Sequence, residues 1–131
     1  MIQLKTLCKV VDNSGGLIAE CINVMSGART ASVGDEIVCV VKKARPVVAG
    51  AGSGAATAPK VRKGEVTRGV VVRTRQAVQR LDGSWVKFDD NAVVLTNPGR
   101  QPLGNRILGV VANECRQKRW AKIASLAPRF V

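Results

Sequence analysis

The sequence predicts a mainly β protein: a small closed β-barrel followed by a helical end. Three observations predict it. Short runs rich in Val and Ile, several of them alternating in polarity, recur at regular spacing through the first 97 residues. Turn residues punctuate them. The last third then changes to a helical period. Several short strands in one small chain avoid exposed edges by closing into a barrel.

Leu4–Val11 reads as the first strand. It runs into Asp12-Asn13-Ser14-Gly15-Gly16, a tight turn in which Asn and Gly supply positive φ. Leu17–Met25 is the second strand, its pattern interrupted by Glu20. Glu36–Lys43 alternates cleanly, with Ile37, Cys39 and Val41 on one face and Val38, Val40 and Lys42 on the other. Glu65–Arg75 is a long strand, with Val70 and Val72 on one face and Val71, Arg73 and Arg75 on the other. Gln79–Trp85 contains an Asp82-Gly83 hairpin turn. Asn91–Thr96 is the next strand, and Pro98, Gly99 and Pro102 end the β region. A helical period begins at Asn113: Trp120, Ile123, Ala124 and Ala127 fall at i, i+3, i+4 and i+7. They predict a basic amphipathic cap on the barrel, stopped by Pro128.

The formal charge is +12, and it is unevenly placed. Residues 42–80 carry ten basic and one acidic side chain, and residues 99–131 carry seven basic and one acidic. Such fields favour a polyanionic partner, nucleic acid first. An acidic membrane surface fits less well, because no basic amphipathic segment is long enough and no apolar run could span a bilayer. Cys8, Cys21, Cys39 and Cys115 form no CxxC pair, and His is absent, so no metal site is expected. Buried, reduced thiols of an intracellular protein are the expectation. No secretory signal is legible at the start of the chain.

Catalysis is not expected. Without His or Tyr the usual proton carriers near neutral pH are missing. Asp12, Asp35, Asp82, Asp89 and Asp90 sit at turns, where Asp is favoured by its own backbone hydrogen bonds. The run Val47–Pro59, VVAGAGSGAATAP, carries a Gly-x-Gly but no Lys-Ser/Thr leading into a helix. It is therefore no phosphate-binding loop, and no cofactor or small-molecule substrate is expected.

The aromatic count separates modes of nucleic-acid binding. Only Trp85, Trp120, Phe88 and Phe130 are present. Alternation puts Phe88 with Val86 towards the core, Trp120 belongs to the helix seam, and Trp85 points outward. One outward ring makes no stacking platform, so phosphates of structured RNA are the expected target. The contact candidates from the first basic block are Lys42, Lys43, Arg45, Lys60, Arg62, Lys63, Arg68, Arg73, Arg75 and Arg80. Those from the second are Arg100, Arg106, Arg116, Lys118, Arg119 and Lys122. The alternative is a free-standing basic barrel that binds single-stranded nucleic acid.

Gly69-Val70-Val71-Val72, then Asp82-Gly83, Phe88, Asn91 and Val94-Leu95, resemble the signature of the universal large-subunit ribosomal protein L-fourteen family. The likeness runs almost end to end. It includes Met1-Ile2-Gln3, Val11 to Gly15, Val33-Gly34-Asp35, Val61-x-Lys63-Gly64-Glu65, Val71 to Thr74, Gly104-x-Arg106-Ile107 and Ile123-x-Ser125-Leu126-Ala127-Pro128. The resemblance implies a five-stranded closed barrel with a projecting β-ribbon and short C-terminal α-helices. It implies one domain over 1–131: a barrel to about residue 97, a cap from about 98, and an Ala/Gly-rich loop inserted at 47–59.

It also implies a structural role at the subunit-joining face of the large ribosomal subunit. Expected partners are large-subunit rRNA, small-subunit rRNA through a bridge, and the neighbouring ribosomal proteins L-three and L-nineteen. A docking surface for the ribosomal silencing factor would map to Arg106 and Lys122, with Asn105 standing where many members have Thr. Leu17-Ile18-Ala19-Glu20-Cys21, Phe88-Asp89-Asp90-Asn91 and the extended loop after Pro46 look like the fungal mitochondrial branch. The implied location is the mitochondrial matrix, with bacterial cytoplasm the alternative. Met1-Ile2-Gln3 already matches the family's first strand, so any import signal is uncleaved or absent here.

Overall fold

A computed structural model describes residues 1–46 and 60–131. In chain order the strands are β1 (Leu7–Val10), β2 (Gly16–Val24), β3 (Glu36–Ala44), β4 (Val66–Arg73), β5 (Val78–Gln79), β6 (Trp85–Val86), β7 (Ala92–Thr96), β8 (Val110–Val111) and β9 (Arg129–Phe130). Two helices, α1 (Glu114–Gln117) and α2 (Ala121–Leu126), lie between β8 and β9. Strands β1-β2-β3-β4-β7 close the expected five-stranded barrel. Closure is made by β7 running parallel to β1, with Lys9 opposite Ala92 and Val10 opposite Val93.

The alternation of β3 fills the barrel: Ile37, Cys39 and Val41 are fully buried. They meet Ala19, Cys21, Val71, Val93 and Leu95 inside. A second cluster lies between barrel and cap, where Val70, Val72, Ala92 and Val94 pack on Ile107, Val111, Cys115, Trp120 and Ile123. Both faces of β4 and β7 are thus covered, which explains why these strands read as near-continuous valine. Each fully buried aliphatic side chain in these layers contributes roughly 1.5–3 kcal/mol of transfer free energy. All four cysteines are buried free thiols. Burial pushes Cys8, Cys39 and Cys115 up to about 12.

Two local expectations, the start of the first strand and the face of Arg73, are corrected. The first strand begins at Leu7 rather than Leu4, because Lys5 takes a left-handed φ of 67° and the Thr6 N–H turns back to Gln3 O. The cap is formed by two short helices, as expected, and Arg119 at φ 65° breaks the chain between them. Trp120 sits at the start of α2, with its indole N–H donating to Gly34 O at 2.9 Å. Arg73 does not share the inward face of Val71. A bulge between Val71 and Arg73 shifts the register against β7 and re-aims its guanidinium to Asp90, 3.0 Å away, and to Val110 O.

The predicted Asp-Gly turn joins β5 to β6, with Gly83 at φ 87°. This ribbon lies outside the barrel and is tied to the cap. Arg80 donates from Nε to Glu114 Oε1 at 2.7 Å and from Nη2 to the Val131 carbonyl.

The inserted loop expected at 47–59 lies outside the described residues. Its flanks are pinned at one place: the Arg45 N–H donates to Gly15 O at 2.8 Å, and the Lys60 N–H to Ser14 O at 2.7 Å. Chain length between two such anchors changes closure entropy by only about 0.6 kcal/mol per doubling. Deleting residues 48–58 is therefore expected to leave the urea midpoint of the domain within about 1 kcal/mol equivalent of the parent. Loss of the cooperative transition would show that the segment belongs to the core.

Candidate nucleic-acid interface

The site is built on the turn between β1 and β2. Asp12 is buried, and its carboxylate organises this turn. Oδ1 accepts from the N–H and hydroxyl of Ser14, and Oδ2 accepts from the Leu95 N–H at 3.0 Å. Desolvation is the larger influence and raises its pKa above the usual 3.8, against the pull of these donors. The turn is thus bolted to β7 through one side chain.

The next three residues root cations from both basic blocks. Gly15 and Ser14 accept from the backbones of Arg45 and Lys60. Asn13 Oδ1 accepts from the backbone N–H groups of Asn105 at 2.6 Å and Arg106 at 3.1 Å. Gly104 makes that approach possible: a Cβ there would lie 2.5 Å from Asn13 Oδ1 and 3.1 Å from the Asn13 backbone N. Arg45, Lys60 and Arg106, distant in sequence, leave the backbone around one turn, in which Asn13 is exposed and Asp12, Ser14 and Gly15 are buried. Arg62 and Lys63 stand exposed in the next turn, where the Gly64 N–H donates to Val41 O. Lys43 is exposed two residues further along β3. A groove of about 530 Å³ opens alongside, lined by Gln101, Pro102, Gly104, Asn105, Lys122 and Leu126 among others. Arg106 and Lys122 are both exposed, and Lys122 and Asn105 share this groove.

Partners divide the sixteen candidates into groups. Lys42 pairs with Glu20 at 3.4 Å, Arg68 with Glu36 at 3.5 Å, Arg73 with Asp90, Arg80 with Glu114, and Lys118 with Asp35 at 2.7 Å. Arg73 and Arg80 have side chains only 14% and 24% exposed and act as internal struts. Arg100 lies 4.0 Å over the Trp120 ring, Arg116 lies over Phe130, and Lys60 Nζ donates to Leu103 O. Lys43, Arg45, Arg62, Lys63, Arg75, Arg106, Arg119 and Lys122 are exposed and have no carboxylate partner among the described residues. A charge already facing a carboxylate gains less from a phosphate, so this last group dominates the available field.

Aromatic placement follows the sequence reading. Trp85 is 65% exposed on the ribbon, Trp120 is buried, and Phe88 is half-buried. Trp85 therefore stands without a stacking partner ring among these. Sequence reasoning placed Asp12 at a turn but missed that it holds β7, and it missed Asn13 as the residue positioning Arg106. The neighbouring Gly104-x-Arg106 spacing is the only local signal of that contact.

The whole chain, residues 1–131, matches the family described as ribosomal protein L14p/L23e. It is similar to the large ribosomal subunit protein uL14m of Schizosaccharomyces pombe, 53% identical over 131 residues that cover all of both chains. It is similar also to the large ribosomal subunit protein uL14m of Neurospora crassa, 51% identical over 128 residues and 98% of each chain. The match over residues 1–131 and these two relatives, on a chain folded as a closed five-stranded barrel, lead to one conclusion: the chain belongs to the ribosomal protein L14p/L23e family.

Proposed function

We propose that this protein is a structural constituent of the large subunit of a mitochondrial ribosome, where it binds rRNA as one domain and performs no catalysis. The observation that carries the rRNA contact is the rooting of Arg45, Lys60 and Arg106 on the Asn13–Gly15 turn, which merges two basic blocks into one field. The eight exposed candidates whose side chains have no carboxylate, carbonyl or ring partner among the described residues supply the phosphate contacts, and no array of exposed rings is needed for a target read by shape. The two fungal uL14m relatives support the mitochondrial large-subunit assignment.

The finer reading is a seat at the subunit interface, bridging to small-subunit rRNA, beside ribosomal proteins L-three and L-nineteen. The groove bearing Lys122 and Asn105, with Arg106 nearby, is the candidate surface for the ribosomal silencing factor. Sedimentation of mitochondrial extract tests the assignment. The protein is expected to run with the large subunit and the assembled ribosome; a pool mainly at the top of the gradient would sink it and favour a free nucleic-acid-binding barrel.

A further inference from the structure

The outer face of β1, β2, β3 and the start of β4 differs from the rest of this basic molecule. Strand register places Leu7, Glu20, Val40 and Val66 on one continuous rung across four strands. Leu7 is 57% and Val66 60% exposed, and Val40 is half-buried. Ile18 and Ile22 extend the aliphatic surface along β2. The charges on this face are cancelled locally: Lys42 faces Glu20, and Arg68 faces Glu36. Lys9, opposite Ile18, turns to Asp90 at 3.6 Å. Among the described residues, unpaired cations border this face only at its margins, at Lys43 on β3 and at Lys5, whose N–H donates to Cys21 O.

We propose that this face docks an aliphatic surface of low net charge on a neighbouring protein in the assembled particle. The proposal rests on the ribosomal reading above. Phosphates would find the central cations already neutralised and would meet exposed leucine and valine. A second copy of the chain is disfavoured because each copy carries +12. The barrel is closed, so these strands offer no free edge for an added strand, and the partner must pack on side chains.

Photo-cross-linking tests this within the particle. A benzophenone amino acid is placed at Val66 in the tagged protein, with the same group at Arg106 as the RNA-facing comparison, and large subunits are purified. The Val66 probe is expected to join another large-subunit protein at a segment rich in aliphatic residues, and the Arg106 probe to join rRNA. With the probe moved to Val40, the double variant Leu7→Glu and Val66→Glu should lower the protein cross-link about tenfold. Cross-links from Val66 to rRNA, to a second copy or to residues 47–59 of the same chain would overturn the proposal. So would no cross-link at all while the chain still sediments with the large subunit. Absence of the chain from that subunit would instead overturn the ribosomal reading, and this proposal with it.

Discussion

Asp12→Ala is expected to destabilise the isolated domain by about 3 kcal/mol, a large share of the roughly 5–15 kcal/mol typical of a domain. The residue is buried, and its removal leaves the Ser14 and Leu95 N–H groups without their acceptor. Each stranded buried donor costs about 1–3 kcal/mol. The urea midpoint should fall with little change in the denaturant slope. Asp12→Asn should also lose stability, because an amide keeps one acceptor oxygen and turns a donor towards one of the present donors. The two variants differ from the parent in pH response as well. Burial raises the folded Asp12 value above 3.8, so folding takes up a proton between the two values. The stability contributed by this group is fully present below 3.8, falls as pH rises through the raised folded value, and is level above it. Both variants should lack that decline. Unchanged midpoints and an unchanged pH profile would show that the turn holds without its carboxylate.

Replacing Lys43, Arg45, Arg62 and Lys63 together by alanine is expected to weaken binding to an A-form RNA duplex by about 10³ at 0.15 M salt. If each side chain neutralises one phosphate at a slope of about 0.9, the log–log salt slope should flatten by about 3.6. The affinity gap to the parent should then close towards 1 M salt. These four are exposed on one end of the barrel, and none packs in its core, so the urea midpoint should barely move. The contrasting variant is Lys42→Ala with Arg68→Ala. Their partners, Glu20 and Glu36, are released when they are removed, but few phosphate contacts are lost. Its salt slope should stay within about one unit of the parent. Equal flattening in the two variants would refute the division of the cations by partner.

Much of the barrel was legible because its strands carry local signals. The alternation of Ile37, Cys39 and Val41 named the inward face, and Asp82-Gly83 named a turn. What failed was set by single backbone positions that no period reports. Lys5 and Arg119 adopt left-handed φ without being glycine; the first delays the start of β1 and the second separates α1 from α2. The bulge at Arg73 reverses the face that simple alternation assigns to it. At the site, the sequence identified cations but not their partners. Lys42 meets Glu20, and Arg68 meets Glu36, only once strand register is known. The Asp12 bond to Leu95 spans 83 positions, and the Asn13 bond to Arg106 spans 93, so neither leaves a local trace. The meeting of the Arg45, Lys60 and Arg106 backbones at the Asn13–Gly15 turn belongs to the fold alone.

The four buried thiols make the barrel its own stopwatch. Thiolate is the reactive form, and Cys8, Cys39 and Cys115 are held near 12 as well as out of reach of solvent. An alkylating reagent must therefore wait for the structure to part before it can react. Cys8, Cys21 and Cys39 lie in the barrel interior, whereas Cys115 lies under the cap. Comparing the pace at which these two groups acquire label would tell whether the cap lifts on its own or only when the staves of the barrel come apart.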